Sequence, residues 1–208
     1  KVQECYSSLF TDRAAYYRHK QNFPHEKVAL SAAVQMQIFS KASGIMFSVN
    51  VANGDDTKIT IDTIDGLGEY IVLGKVTPDH FIIDKKTLKI VDKTITKKPI
   101  MLVRQPGGGT EEQPVPADQQ DQPALTDDQV VELAGYAKEI EQHYGCYMDM
   151  EFALDKNTNK LWIVQARPET VWSRKNKQKK ENASNEEAGK MDAADAKVLV
   201  RGLPASPG

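Results

Sequence analysis

Two strand-like runs, "MDMEFALD" (148–155) and "LWIVQARPE" (161–169), flank the short polar turn "KNTNK". This pairing constrains the chain most, because residues directly opposite in an antiparallel pair share a face. If Glu151 faces Gln165, the same register sets Asp149 opposite Arg167. It also pairs Met150 with Ala166, Phe152 with Val164 and Leu154 with Trp162 on the other face. One register therefore yields an apolar face and a polar end, and a one-residue slip would mix them. Pro168 must end the second strand, so Gln165 and Arg167 sit at its last polar positions.

The polar end admits two readings. The plainer one is a salt bridge from Arg167 to Asp149 or Glu151 that closes a sheet edge. It leaves Gln165 unexplained. The sharper one notes that a carboxylate beside an amide oxygen supplies hard ligands suited to Mg²⁺. An arginine next to them can clamp a phosphoryl group bidentately. Cation ligands beside a phosphate clamp suit phosphoryl transfer, which depends mostly on positioning and charge neutralisation.

The rest of the chain predicts an α+β protein built on antiparallel sheet. In "KVALSAAVQMQIF" the even positions from Val28 to Ile38 are all apolar, which predicts a strand bearing Gln35 and Gln37 on its polar side. "GIMFSVN" (44–50) and "TKITIDTI" (57–64) form a hairpin around Asn53-Gly54. Alternation resumes in "HFIIDKKTLKIVDKTITKKPIMLV". Residues 3–21 read as helix, with Thr11 capping a second segment. "LTDDQVVELAGYAKEIEQHYG" is the clearest helix. Thr126 and Gln129 make a capping box and Gly145 sits at the left-handed C-terminal position. Residues 104–124, rich in Gly, Pro and Gln, read as a flexible excursion. Residues 172–197 read as a linker, and "VLVRGLPASPG" as the opening strand of a further domain. Starting without Met and stopping mid-pattern, the 208-residue chain reads as a piece of something longer.

A net charge of −2 supplies no basic field for nucleic acid or an anionic membrane. No apolar run approaches the roughly 18 residues of a membrane span. Cys5 and Cys146 make neither a disulfide framework nor a zinc pattern, so free thiols and a cytoplasmic setting are expected.

"MDMEFALD…KLWIVQARPET" resembles the closing hairpin of the ATP-grasp domain in phosphoenolpyruvate synthases. "SLFTDRAAYYR", "VALSAAVQMQ", "SGIMFSVN", "GLGEYIVLGKVTPD" and "LTDDQVVELAGYAKEIEQHYG" resemble further blocks of that family in the same order, across residues 4–170. "VRGLPASPG" resembles the first strand of the swivelling phosphohistidine domain that follows. The resemblance implies the C-terminal part of an ATP-grasp domain over residues 1–171 and that swivelling domain from 198. It implies an enzyme that converts pyruvate, ATP and water to phosphoenolpyruvate, AMP and phosphate through a histidine on the swivelling domain. Glu151 and Gln165 would hold Mg²⁺ against ATP, and Arg167 would neutralise the phosphoryl in flight. Gln35 and Gln37 would lie along the adenine, or simply face solvent. "GLGE" lacks a Walker lysine and by itself is a turn; the family sets Glu69 near the cleft. Pyruvate would bind on other domains of the parent, for which a homodimer is compatible. Arg13 and Arg18 read as structural. His19, His25, His80 and His143 all lack the context of the family's phosphohistidine. The fragment alone is expected to catalyse nothing. A sister dikinase, an antibiotic phosphotransferase and a non-catalytic nucleotide-binding module are the alternatives.

Overall fold

The computed structural model describes residues 1–172; all but Trp172 of the linker expected over 172–197, and the strand expected from 198, lie outside them. The chain divides into two compact units, residues 1–37 and residues from 38 onward.

In the first unit, α1 (Val2–Ser7) and α2 (Asp12–Lys20) flank a 3-10 turn at Ser8–Phe10. Thr11 caps α2 as its sequence predicts, its hydroxyl accepting from the Ala14 amide. Arg18 is structural. It is buried, and its Nε donates to His25 Nδ1 at 2.9 Å while Nη2 donates to the Leu9 carbonyl at 2.7 Å. The strand expected over 28–38 does not form, and these residues carry no regular structure. Val34 and Met36, 89% and 85% exposed, present no buried face. Alternation specifies a strand only where a ladder partner and a surface to cover exist, and neither is present within this unit.

The second unit is a six-stranded sheet in the order β4-β3-β2-β1-β7-β8, antiparallel throughout. Its strands are β1 (Ser40–Phe47), β2 (Lys58–Asp65), β3 (Asp79–Asp84), β4 (Ile90–Thr94), β7 (Met148–Asp155) and β8 (Leu161–Pro168). Every second residue of the central strands points to one face. Met46, Ile59, Ile61, Phe81, Met150, Phe152 and Leu154, all within 1% of full burial, meet there. Helix α4 (Asp127–Tyr144) closes that face with Val130, Leu133, Ala134 and Ala137. Burying each large apolar side chain contributes about 1.5–3 kcal/mol, so this face fixes the strand register. The capping box and the left-handed Gly145 predicted for α4 are both present.

The excursion at 104–124 corrects its expectation in part. β5 (Ile100–Arg104) and β6 (Thr110–Pro114) form a hairpin whose tip carries the three glycines. Leu102 makes an isolated bridge to Gly66 and packs with Ile64, Tyr70 and Val76. The hairpin therefore rests on α3 (Glu69–Val72), which starts at the last residue of "GLGE".

Candidate functional site

The face opposite α4 carries the polar side chains. Cross-strand pairing lines up Gln165, Glu151, Ile45, Asp62, His80 and Thr94 in one row across six strands. Asp149 and Arg167 oppose each other one pleat further along. On β2, two residues from Asp62 in the other direction, Ile64 is covered by Tyr70, Val76 and Leu102. Helix α3 and strand β5 thus stand on the same face as Glu151 and wall off one end of it. Glu69 is exposed at the start of α3.

At the polar end of the β7–β8 hairpin the expected register holds: Glu151 faces Gln165, Met150 faces Ala166 and Asp149 faces Arg167. Past Glu151 it shifts. Phe152 pairs with Ile163 rather than Val164, and Leu154 with Leu161 rather than Trp162. Val164 is the extra residue of a β-bulge, which advances the partner strand by one position. Trp162, expected on the apolar face beside Leu154, instead opposes Ala153 and is 47% exposed.

Both readings of the polar end have their counterpart in the geometry. Arg167 donates from Nε and from Nη2 to a single oxygen of Asp149, each at 2.8 Å. The Asp149 side chain is 14% exposed and that of Arg167 63%, so the guanidinium reaches solvent with donors to spare. Glu151 is not consumed by this bridge. Neither the Glu151 carboxylate nor the Gln165 side-chain amide makes a hydrogen bond or ion pair among the described residues, although both face one open surface. Directly opposed side chains have Cβ atoms about 5 Å apart, close enough for both to reach one cation. No group of three or more His, Cys, Asp or Glu side chains able to hold a metal occurs among the described residues. Any cation at Glu151 and Gln165 would need further oxygen ligands from water or a bound molecule.

Further along the row, Asp62 Oδ1 and His80 Nδ1 are 2.6 Å apart, and this hydrogen bond pushes the His80 imidazole above its ordinary value. Two strand spacings of about 4.8 Å separate Glu151 from Asp62 and three separate it from His80, so the pair stands roughly 10–14 Å away. The remaining candidates, Gln35 and Gln37, are exposed residues of the first unit and do not lie on a strand.

Sequence reading missed two residues that organise the second unit. Asp79, known only as part of "TPD", is fully buried. It accepts from the Thr96 amide, Lys98 Nζ and the Ala124 amide at 3.0, 2.7 and 2.9 Å. Lys98, also fully buried, donates further to the Thr96 and Gln122 carbonyls. The pair staples both ends of the β5–β6 excursion to the sheet. A lysine in "TKKPI" gives no signal that it is interior. Nearby Asp65 has a buried oxygen with no partner among the described residues, and burial pushes its carboxyl up while the Lys98 charge opposes that.

None of the described helices is long and apolar enough to cross a membrane. The profile of the family described as "pyruvate phosphate dikinase, AMP/ATP-binding domain" matches residues 1–188. A probable phosphoenolpyruvate synthase of Staphylothermus marinus is 42% identical over all of this chain and 28% of its own length. One of Methanocaldococcus jannaschii is 43% identical over all of this chain and 17% of its own length. The phosphoenolpyruvate synthase of Pyrococcus furiosus is 44% identical over all of this chain and 25% of its own length. The chain thus spans about a quarter or less of the curated relatives it matches. With a matched profile across most of its residues, the chain belongs to the pyruvate phosphate dikinase AMP/ATP-binding domain family.

Proposed function

We propose that this chain is the C-terminal part of an ATP-grasp domain in a phosphoenolpyruvate synthase, where it holds Mg·ATP on the face opposite α4. The observation that carries the reading is the opposition of Glu151 and Gln165, two side-chain oxygen donors without partners among the described residues, one pleat from the solvent-reaching Arg167. The donor set fits magnesium, which takes few protein ligands and completes its shell with phosphate oxygens and water. Bound there, the ion would neutralise phosphate charge. Glu151 and Gln165 would orient the triphosphate, and Asp149 would aim the guanidinium of Arg167 at the transferred group. Glu69, on the wall formed by α3, is a second-rank contact for the nucleotide.

The relatives' names support conversion of pyruvate, ATP and water to phosphoenolpyruvate, AMP and phosphate. These products require scission of both the α–β and the β–γ phosphate links. A histidine on a following swivelling domain would carry the β-phosphoryl to pyruvate, and the γ-phosphoryl would leave to water. The family description also names a pyruvate phosphate dikinase, in which phosphate replaces water as the second acceptor; the domain described here would serve either reaction. A cytoplasmic location accords with this metabolism.

Calorimetric titration of the full-length polypeptide with Mg·ATP tests the proposal. Glu151→Gln and Arg167→Ala are each expected to weaken binding by at least about tenfold, the equivalent of one charge-assisted contact. Parental affinity in both variants would overturn it.

A further inference from the structure

β8 is an edge strand, so its end is laddered on one side only and would fray if nothing else held it. A closed set of contacts holds it. Glu169 is buried although charged, and its carboxylate accepts from the Val171 amide at 2.7 Å and the Trp172 amide at 2.6 Å. Its own amide donates to the Tyr147 carbonyl at 2.8 Å. The chain beyond β8 is thereby folded back so that Trp172 reaches the β1–β2 turn, where its Nε1 donates to the Val51 carbonyl at 3.1 Å. Gly54 has φ of +78°, and a Cβ on it would fall inside the Trp172 indole. The circuit closes through Asp56 of the same turn, which accepts from the Tyr147 hydroxyl at 3.0 Å. Arg167 lies two residues before Glu169, and its partner Asp149 lies two residues after Tyr147.

We propose that Trp172, seated on Gly54, is a positioning residue that locks the β1–β2 turn to the end of β8 and so holds Arg167 at its working place. This rests on the reading of Arg167 as a phosphate ligand. An arginine that must meet a phosphoryl group within a fraction of an ångström gains from an immobile backbone. Val51 and Gly54, which the indole meets, both belong to the turn between β1 and β2. The Trp172 side chain bridges two loops, and the joint is complementary, since the indole occupies the space that any residue other than glycine at 54 would fill.

The test uses the full-length polypeptide and two readouts, amide hydrogen exchange and Mg·ATP affinity. Trp172→Ala is expected to speed exchange at least about tenfold at residues 50–57 and at 165–169 while α4 keeps its parental rates. It should weaken Mg·ATP binding about tenfold. Trp172→Phe, which keeps a ring over Gly54, should recover most of both effects. Gly54→Ala leaves residues 165–172 unaltered in sequence but drives a Cβ into the indole, and should also speed exchange at 165–169, because coupling between the two segments is reciprocal. Parental exchange at 165–169 in Gly54→Ala, or a Trp172→Ala effect confined to 50–57, overturns the proposal. If Arg167→Ala binds Mg·ATP as the parent does, the functional reading fails instead, and the exchange results still judge the joint.

Discussion

Replacing Lys98 with Met removes one charge from a fully buried pair while keeping an unbranched side chain of similar reach. Asp79 would keep the Thr96 and Ala124 amides as donors but lose the ammonium at 2.7 Å. The Thr96 and Gln122 carbonyls would each lose a donor. Breaking a buried pair by deleting one partner costs about 3–5 kcal/mol, and the two retained amides favour the lower end, about 3 kcal/mol. With a urea dependence of about 2 kcal/mol per molar, the unfolding midpoint should fall by about 1.5 M. The neutral double variant Asp79→Asn/Lys98→Met should regain less than half of that loss: it removes the unpaired charge, but the Thr96 and Ala124 amides sit on separate carboxylate oxygens and the single amide oxygen can keep only one of them. Urea titration followed by circular dichroism measures both variants. A loss under about 0.5 kcal/mol in Lys98→Met would mean that the pair is solvated in solution, and the account of how the β5–β6 excursion is anchored would be wrong.

The Asp62 hydrogen bond raises the folded-state titration of His80, so the folded protein holds that proton more tightly than the unfolded chain. The resulting stabilisation is complete below the ordinary histidine value of about 6.5 and disappears as pH rises through the raised folded value. With His80 37% and Asp62 23% exposed, solvent screening keeps it within about 1 kcal/mol. A proton-NMR midpoint for His80 at or below about 6.5 would contradict this, and His80→Gln should abolish the pH dependence. Gly44→Ala should cost about 3 kcal/mol in chemical denaturation, since its Cβ would collide with the Asp62 carbonyl oxygen and lie 2.6 Å from Phe152 Cζ in a strand paired on both sides. A loss below about 1 kcal/mol would show that β1 can shift within the sheet.

Much of this was legible in the residues because the evidence is local. Helix α4 announces itself through a capping box, an apolar stripe and a terminal glycine within one stretch. The β7–β8 hairpin is constrained by its own face pattern, which brings Glu151, Gln165, Asp149 and Arg167 together. Two things escaped for want of local signal. The bulge at Val164 leaves Ile163 and Val164 as adjacent apolar residues, and no pattern says which is the extra one. The role of Asp79 depends on Lys98 and Ala124, far away in sequence and joined only by the fold. The alternation in 28–38 misled for the opposite reason, because a periodic pattern records suitability for a sheet and not the presence of a neighbouring strand.

The strand order has a consequence for how the molecule is made. β1 is flanked by β2, the next strand synthesised, and by β7, which follows about a hundred residues later. Until β7 leaves the ribosome, one edge of the central strand stands open, a state prone to wrong pairings. Such distant closure also slows folding. The hairpin that bears Glu151 and Arg167 is therefore the last part of the described sheet to be synthesised, and a nascent chain stalled before it would expose an adhesive edge.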